Sequence, residues 1–293
     1  MNHNHTMRTL TTLLTVAVLV LVACQKEVNF ATNNGSDGGN NSGSLLVKMV
    51  AKTGSDSLVN TYGYDANKRA IDIKTFGIDQ GTPTNKEYRI YRNSAGIITQ
   101  YSTIDADLVA QGLDSFVTVV HYDASHSRYT SYVISVNASG FILLDSSTYV
   151  YDGSGNIVEE DVYESPSGLN SDYYYTGKVI YTYSNGNITE LDIHDVDQTG
   201  VETFSAKNVI TYDSKTSPYH FGIEGFPLGH QEWVTPNNIA GETLSDSGGA
   251  ADNQTVSWVY VYNSEGKPAS AVVTYVSANP SDNFVSNFSY YYQ

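Results

Sequence analysis

The sequence predicts an all-β protein whose strands form one large antiparallel meander of about fifteen strands. Apolar residues alternate with a period of two, short turn signals recur between the alternating stretches, and amphipathic helical patterns are nearly absent. Short connections favour pairing between consecutive strands. A sheet of this size must curve strongly, and we expect it to be partly closed or split into two packed sheets.

The alternation is clearest in three stretches, 203–213, 256–262 and 284–292. Side chains of a strand point alternately to its two faces, so each stretch is predicted to bury one set of residues. The three predicted sets are Phe204, Ala206, Ile210 and Tyr212; Val256, Trp258, Tyr260 and Tyr262; and Phe284, Phe288, Tyr290 and Tyr292.

Six turn signals share one design, in which an aromatic-rich strand ends and Asp, Asn or Ser opens a tight turn. Glycine often follows and supplies the positive φ that such turns need. Each segment therefore predicts a hairpin. The six segments are YGYDANKR (62–69), IYRNSAGI (90–97), ISVNASGF (134–141), YVYDGSGNI (149–157), YTYSNGNI (181–188) and YVYNSEGK (260–267).

The form Tyr-x-Tyr-Asp-x-x-Gly-Asn-Ile at 149–157 resembles the YD (Rhs-type) repeat. The block ITYDSKTSPY (210–219), followed by PNNI (236–239), resembles Bacteroidota outer-membrane lipoproteins of unknown function that are built from such repeats. YRNSAG and YNSEG depart from the pattern because they lack the aspartate. The resemblance implies a fold class and a bacterial setting, but no catalytic residue.

The N-terminus predicts secretion and lipid attachment. Arg8 precedes an apolar run over 10–22 that is too short for a membrane span. The Leu-Val-Ala-Cys sequence at 21–24 resembles the bacterial lipobox. We therefore expect a signal peptide over 1–23, lipidation of Cys24, a flexible Gly/Ser/Asn tether within 24–44, and a single all-β repeat domain over 45–293.

The residues after Cys24 predict the destination of the protein. Gln25, rather than an aspartate, follows the cysteine, and CQKE resembles the short surface-export signal of Bacteroidota lipoproteins. We therefore expect a lipid-anchored protein of the outer membrane, exposed at the cell surface. Its periplasmic face is the alternative location.

Charge and cysteine content exclude several classes of function. The formal net charge is −16, and removal of residues 1–23 takes away Arg8 and no acidic residue, which makes it −17. Such a charge disfavours nucleic acid as a partner. Cys24 is the only cysteine, so the folded domain has no disulfide or thiolate nucleophile. The expected partners are the membrane, through the lipid, and a glycan or protein at the cell surface.

No candidate for catalysis or metal binding is convincing in the sequence. Glu159 and Asp161 share a strand face at roughly 6.5–7 Å, a spacing seen in inverting glycosidases, but an acidic run beside a turn is normally solvated. Residues 152–156 lack the alternating acidic ligands of a calcium loop. His121 and Asp123 supply half a zinc site at best. We therefore predict no catalytic residue, no metal and no cofactor.

One region, 214–252, interrupts the hairpins with three prolines and several aromatic residues. Long loops in compact domains are often functional, so we predict that this insertion forms or borders a ligand site. A structural plug, which covers a sheet edge or the end of a curled sheet, is the alternative. The candidate binding residues are Tyr219, Phe221, Phe226 and Trp233.

Two functions remain open. The first is a non-enzymatic lipoprotein that acts as a binding or structural module, and the second is an extracellular polysaccharide hydrolase whose carboxylates come from separate strands. A membrane-spanning barrel is disfavoured, because the strand faces carry Ser, Thr and Asn at many positions and the chain ends on Gln293.

Overall fold

The computed structural model describes residues 44–106, 109, 116–138, 141–165, 173–197, 199–219, 221–230, 234–247 and 253–293, with the backbone alone at 136–138 and 141–143. Within these residues, no helix is long and apolar enough to cross a membrane. Short 3₁₀ helices lie at Gly222–Gly225 and at Pro280–Asp282.

Sixteen strands make up most of the described chain. They are β1 Leu46–Thr53, β2 Asp56–Tyr64, β3 Ala70–Asp79, β4 Thr82–Arg92, β5 Ile98–Asp105, β6 Phe116–Asp123, β7 Arg128–Ala138, β8 Phe141–Tyr151, β9 Ile157–Ser165, β10 Tyr174–Ser184, β11 Asn187–Val196, β12 Glu202–Thr216, β13 Asn237–Asp246, β14 Gln254–Tyr262, β15 Pro268–Ser277 and β16 Phe284–Tyr292.

The strands form a closed antiparallel barrel. Each strand pairs with its neighbour in sequence, and β1 pairs with β16, where Ala51 lies opposite Phe288. The predicted all-β antiparallel meander is confirmed. The expectation of a partly closed or split sheet is wrong, because the pairing of β1 with β16 satisfies the backbone groups that an open sheet would leave at its edges.

The predicted faces are confirmed for β14 and β16, where Trp258, Phe288 and Tyr290 are buried inside the barrel. The set predicted in β12 is wrong for Phe204. Ile193 lies opposite Ala206 while the next residue of β11, His194, lies opposite Phe204. Ser205 is therefore the extra residue of a β-bulge, which turns Phe204 to the outer surface, where 42% of the residue is exposed.

Five turns share one hydrogen-bonding pattern. The side-chain oxygen of the first turn residue accepts hydrogen bonds from the backbone N–H groups two and four residues later. The fourth turn residue has positive φ, and it is Lys68 in the first turn and glycine in the others. An Asn side chain therefore stabilises this turn in the same way as an Asp side chain. The first residues of these turns are Asp65, Asn93, Asp152, Asp197 and Asn263.

Tyrosine hydroxyls fasten neighbouring strands at one end of the barrel. A tyrosine near the end of an even-numbered strand donates to a backbone carbonyl at the start of the preceding strand, as Tyr183 does to Ile157 at 2.9 Å. Four further bonds repeat this geometry, and they join Tyr64 to Leu46, Tyr151 to Tyr129, Tyr212 to Ile188 and Tyr292 to Pro268.

Candidate functional site: the barrel lumen

The described residues of the connection between β12 and β13 fill one end of the barrel. We call residues 217–219, 221–230 and 234–236 the plug and this end the plug end. A hydrogen bond of 2.9 Å from the Ser217 amide to the Pro236 carbonyl closes the base of the plug. Phe221 and Phe226 have 0% exposure, and Leu228 is buried as well. The described part of the insertion thus contributes to the core.

The candidate binding residues lie on different sides of the plug. Tyr219 packs edge-on against Tyr62 and Tyr290, and its hydroxyl contacts the Met49 sulfur at 2.6 Å. Phe226 packs edge-on against Tyr149 and Tyr181, with ring centroids 5.8 and 5.1 Å away.

The role of Tyr219, Phe221 and Phe226 in ligand binding stays a prediction. Their burial is what the alternative, a structural plug, requires. Trp233, and the predicted lipidation site Cys24, lie outside the described residues.

A buried ion pair fixes the plug to the wall. Arg92 of β4 contacts both carboxylate oxygens of Glu224, at 2.6 and 2.9 Å, and the Arg92 side chain is only 6% exposed. The ring of His230 lies against Tyr88. Burial lowers the pKa of His230 to about 3, which keeps the imidazole neutral at physiological pH. The plug is therefore held by charge as well as by apolar contact.

Beyond the plug, the centre of the lumen holds a buried carboxylate. Glu160 of β9 is 3% exposed, and it accepts hydrogen bonds from the hydroxyls of Tyr132, at 3.1 Å, and Tyr181, at 2.8 Å. Burial, together with the charge of Glu160, raises the pKa of both tyrosines and of Tyr149 well above the usual value. These phenols therefore stay protonated and serve as neutral donors or acceptors.

Glu159 and Asp161 share the outward face of β9, where Glu159 lies 4.0 Å from Lys178 and Asp161 accepts from the Tyr175 hydroxyl. The inward acidic residue of this strand, Glu160, was not identified from the sequence. A β-bulge brings Glu160 to the inner face, because Val150 pairs with Glu159 while Tyr151 pairs with Ile157. Strict alternation from the buried Ile157 would place Glu159, not Glu160, inside the barrel.

Acidic side chains also face inward toward the end opposite the plug, which we call the acidic end. The inward residues there include Asp145, Glu164, Asp195 and Asp246. Asp145 and Glu164 lie directly opposite each other on β8 and β9. Burial and the charge of Glu164 raise the pKa of Asp145 to about 6. The inward lysine Lys86 is paired with Asp105 at 3.1 Å.

Two buried polar atoms of the lumen wall have no hydrogen-bond partner in the described structure. The first is the Oδ1 atom of Asn208, a residue that is 5% exposed. The Nδ2 group of the same side chain donates to Glu242 at 3.2 Å. The second is the hydroxyl of Tyr149. Buried polar atoms are normally satisfied, so these two mark places where a donor fits.

The remaining candidates from the sequence have local partners. The Asp152 carboxylate is occupied by the Ser154 and Asn156 amides of its own turn. At the β6–β7 turn, Asp123 accepts from the Ser125 hydroxyl and pairs with His126 at 2.5 Å, and these two contacts lower the Asp123 pKa. Across the described residues, no three Asp, Glu, His or Cys side chains converge closely enough to hold one metal ion.

An outer groove of about 430 Å³ lies at the plug end, between the end of β12 and the β14–β15 turn. Its lining is polar and comprises residues 214–217 and 265–267. The Lys267 ammonium donates to the Ser44 carbonyl beside this groove, so the start of the described chain lies there.

Comparison with solved structures identifies the fold. A porin-like protein from Bacteroides uniformis ATCC 8492 matches with a TM-score of 0.50 and 12% identity, over 85% of this chain and 98% of that one. A porin-like protein from Bacteroides vulgatus ATCC 8482 matches with the same score and identity, over 86% and 99%. At this identity the similarity establishes a shared antiparallel barrel fold and nothing finer. No protein-family model and no curated protein matches the chain.

Proposed function

We propose that the protein is a binding module of the outer membrane whose barrel stays in water and whose only anchor is lipid on Cys24. The proposal rests on which side chains of the barrel face the lumen and which face outward. The interior is packed with apolar and aromatic side chains around the plug, whereas ion-paired charged residues are spread over the outer surface.

Ion pairs on the outer surface oppose insertion into lipid. Lys74 lies 3.5 Å from Glu87, Lys178 lies 2.9 Å from Glu202, and Lys207 lies 2.9 Å from Glu190. A membrane-spanning barrel needs an outward apolar band, and a lysine or arginine at its midplane costs about 2–4 kcal/mol. Exposed apolar residues do occur on several strands, such as Phe76, Val259 and Val272. On β14 and β15, serine and threonine share the outward face with the valines, and Ser257 lies opposite Thr274.

The similarity to porin-like proteins therefore supports a barrel of bacterial outer-membrane type, while the plug and the outer charges argue against a channel in this chain. An enzymatic role has less support. The pair of carboxylates that suggested a glycosidase faces the outer surface, where Lys178 and Tyr175 occupy it.

Fractionation of a Bacteroidota host that expresses the full chain tests the proposal. The wild-type protein is expected in the outer membrane and to require detergent for release. Cys24→Ala is expected in the soluble fraction, while the control Gln25→Ala, which keeps the cysteine, stays in the membrane. If Cys24→Ala still requires detergent, the barrel itself is embedded and the proposal is wrong.

A further inference from the structure

We propose that the lumen between the plug and the acidic end binds an elongated organic cation with two or more ammonium groups, of the polyamine class. Glu160 and the pair Asn208–Glu242 would each receive one ammonium group. This inference rests on the proposed function, since it assigns a ligand class to a binding module. Its test does not depend on how the protein is anchored.

The charge distribution of the lumen favours a cation. Asp145 and Glu164 are held opposite each other although like charges directly across a strand pair are destabilising. Asp195 and Asp246 add negative charge on the same inner surface. Acidic groups on the wall of a cavity raise the local concentration of cations. The acidic end is thus suited to attract a positively charged ligand toward Glu160.

Unpartnered acceptors provide a second, independent observation. The Asn208 Oδ1 atom faces the lumen without a donor although the residue is 5% exposed. The neighbouring Glu242 carboxylate already accepts from the Asn208 Nδ2 group. An ammonium group carries three donors and no acceptor, so it can serve the amide oxygen and the carboxylate together.

The surroundings of Glu160 suit an ammonium group as well. Tyr132 and Tyr181 bond to its two carboxylate oxygens, and the unpartnered hydroxyl of Tyr149 lies on the opposite residue of β8. A carboxylate beside tyrosine rings attracts an organic cation through charge and through the ring faces. Phe226 closes this part of the lumen on the plug side, because its ring packs on Tyr149 and Tyr181.

The spacing favours an elongated ligand over a metal ion. Glu160 lies on β9 and Asn208 on β12, so about 14 Å of sheet separates them at the usual strand spacing. A metal ion needs several oxygen ligands at about 2–2.6 Å. The described acidic side chains form no such group. Two ammonium groups on one flexible chain can reach both positions.

Calorimetric titration of the full chain in nonionic detergent, with spermidine as the probe, tests this inference. Glu160→Gln keeps an acceptor for the tyrosine hydroxyls but removes the charge, and Asn208→Leu removes the amide oxygen. Each is expected to weaken spermidine binding about tenfold or more. Asp161→Asn, which changes the adjacent outward carboxylate, is the matched control and is expected to leave the affinity within about twofold.

Thermal unfolding of each variant establishes that it is folded. If Glu160→Gln does not fold, Asp145→Asn at the acidic end replaces it and is expected to weaken binding. The inference is wrong if spermidine does not bind, if Asp161→Asn weakens binding as much as the lumen variants do, or if calcium binds in place of spermidine. Detergent keeps the protein in solution whether or not it is lipid-anchored. A failure to bind spermidine is therefore distinct from a failure of the lipid-anchor proposal.

Discussion

At the scale of single residues, the two tyrosines of a Tyr-x-Tyr pair have different roles. The first tyrosine packs on the plug, as Tyr62 and Tyr290 do on Tyr219, and Tyr149 and Tyr181 on Phe226. The second tyrosine donates its hydroxyl to a backbone carbonyl of the preceding strand, as in Tyr183, except that Tyr262 donates to the Asp213 carboxylate. The repeat therefore encodes more than turns, because its aromatic residues also build the core around the plug.

Phe226→Ala tests the plug at the residue scale. The ring is fully buried against two tyrosines, so its removal is expected to lower the free energy of unfolding by about 3–5 kcal/mol. Urea denaturation provides the measurement. The control is Phe204→Ala on the outer surface, which is expected to cost under about 1 kcal/mol because its ring is already half in water.

A small effect at Phe226, equal to that at Phe204, would contradict the placement of the plug in the core. It would also support the prediction that Phe226 contributes to a ligand site.

At the element scale, the first residue of the turn stabilises each of these hairpins. Asn263 accepts from the amides of Glu265 and Lys267, at 2.9 and 3.0 Å, and Asp152 accepts from the equivalent amides of the turn at 149–157. The absence of aspartate from the segments at 90–97 and 260–267 is thus no departure in geometry. An Asn side chain offers the same oxygen to the same two amides.

Asn263→Ala is expected to lower the free energy of unfolding by about 1–2 kcal/mol, since two hydrogen bonds are lost. Asn263→Asp keeps the accepting oxygen and is expected to change stability by less than about 0.5 kcal/mol. Both values come from thermal or urea unfolding of purified variants. Equal losses in the two variants would mean that the side-chain oxygen does not stabilise this turn.

At the scale of the whole molecule, closure removes the sheet edges. β1 and β16 are the terminal strands, yet they pair over most of their length, from Leu46 opposite Tyr292 to Thr53 opposite Ser286. Backbone bonds of 2.8 and 2.9 Å between Leu45 and Gln293 extend the pairing by one residue beyond each strand. The seam is therefore as regular as the other strand pairs.

Amide hydrogen exchange tests this closure. Backbone amides at the centres of β1 and β16 are expected to exchange as slowly as those of β10 and β11. The reason is that each of these strands is hydrogen-bonded to a neighbouring strand on both of its sides. The comparison is made on peptides from the full chain in the native state. Much faster exchange confined to β1 and β16 would indicate an open sheet, the form that the sequence alone allowed.

The sequence by itself determined the strand class, the meander order and the positions of most hairpins. These depend on local alternation and turn chemistry, which nearby residues encode. Tertiary structure decided three further matters: closure, which depends on pairing between β1 and β16; the burial of the plug; and the inward position of Glu160. The last was hidden by a bulge that shifts the alternation by one residue. Pairing between distant strands and β-bulges leave no signal in the local sequence. Only the tertiary structure therefore shows which side chains from distant strands face the same lumen.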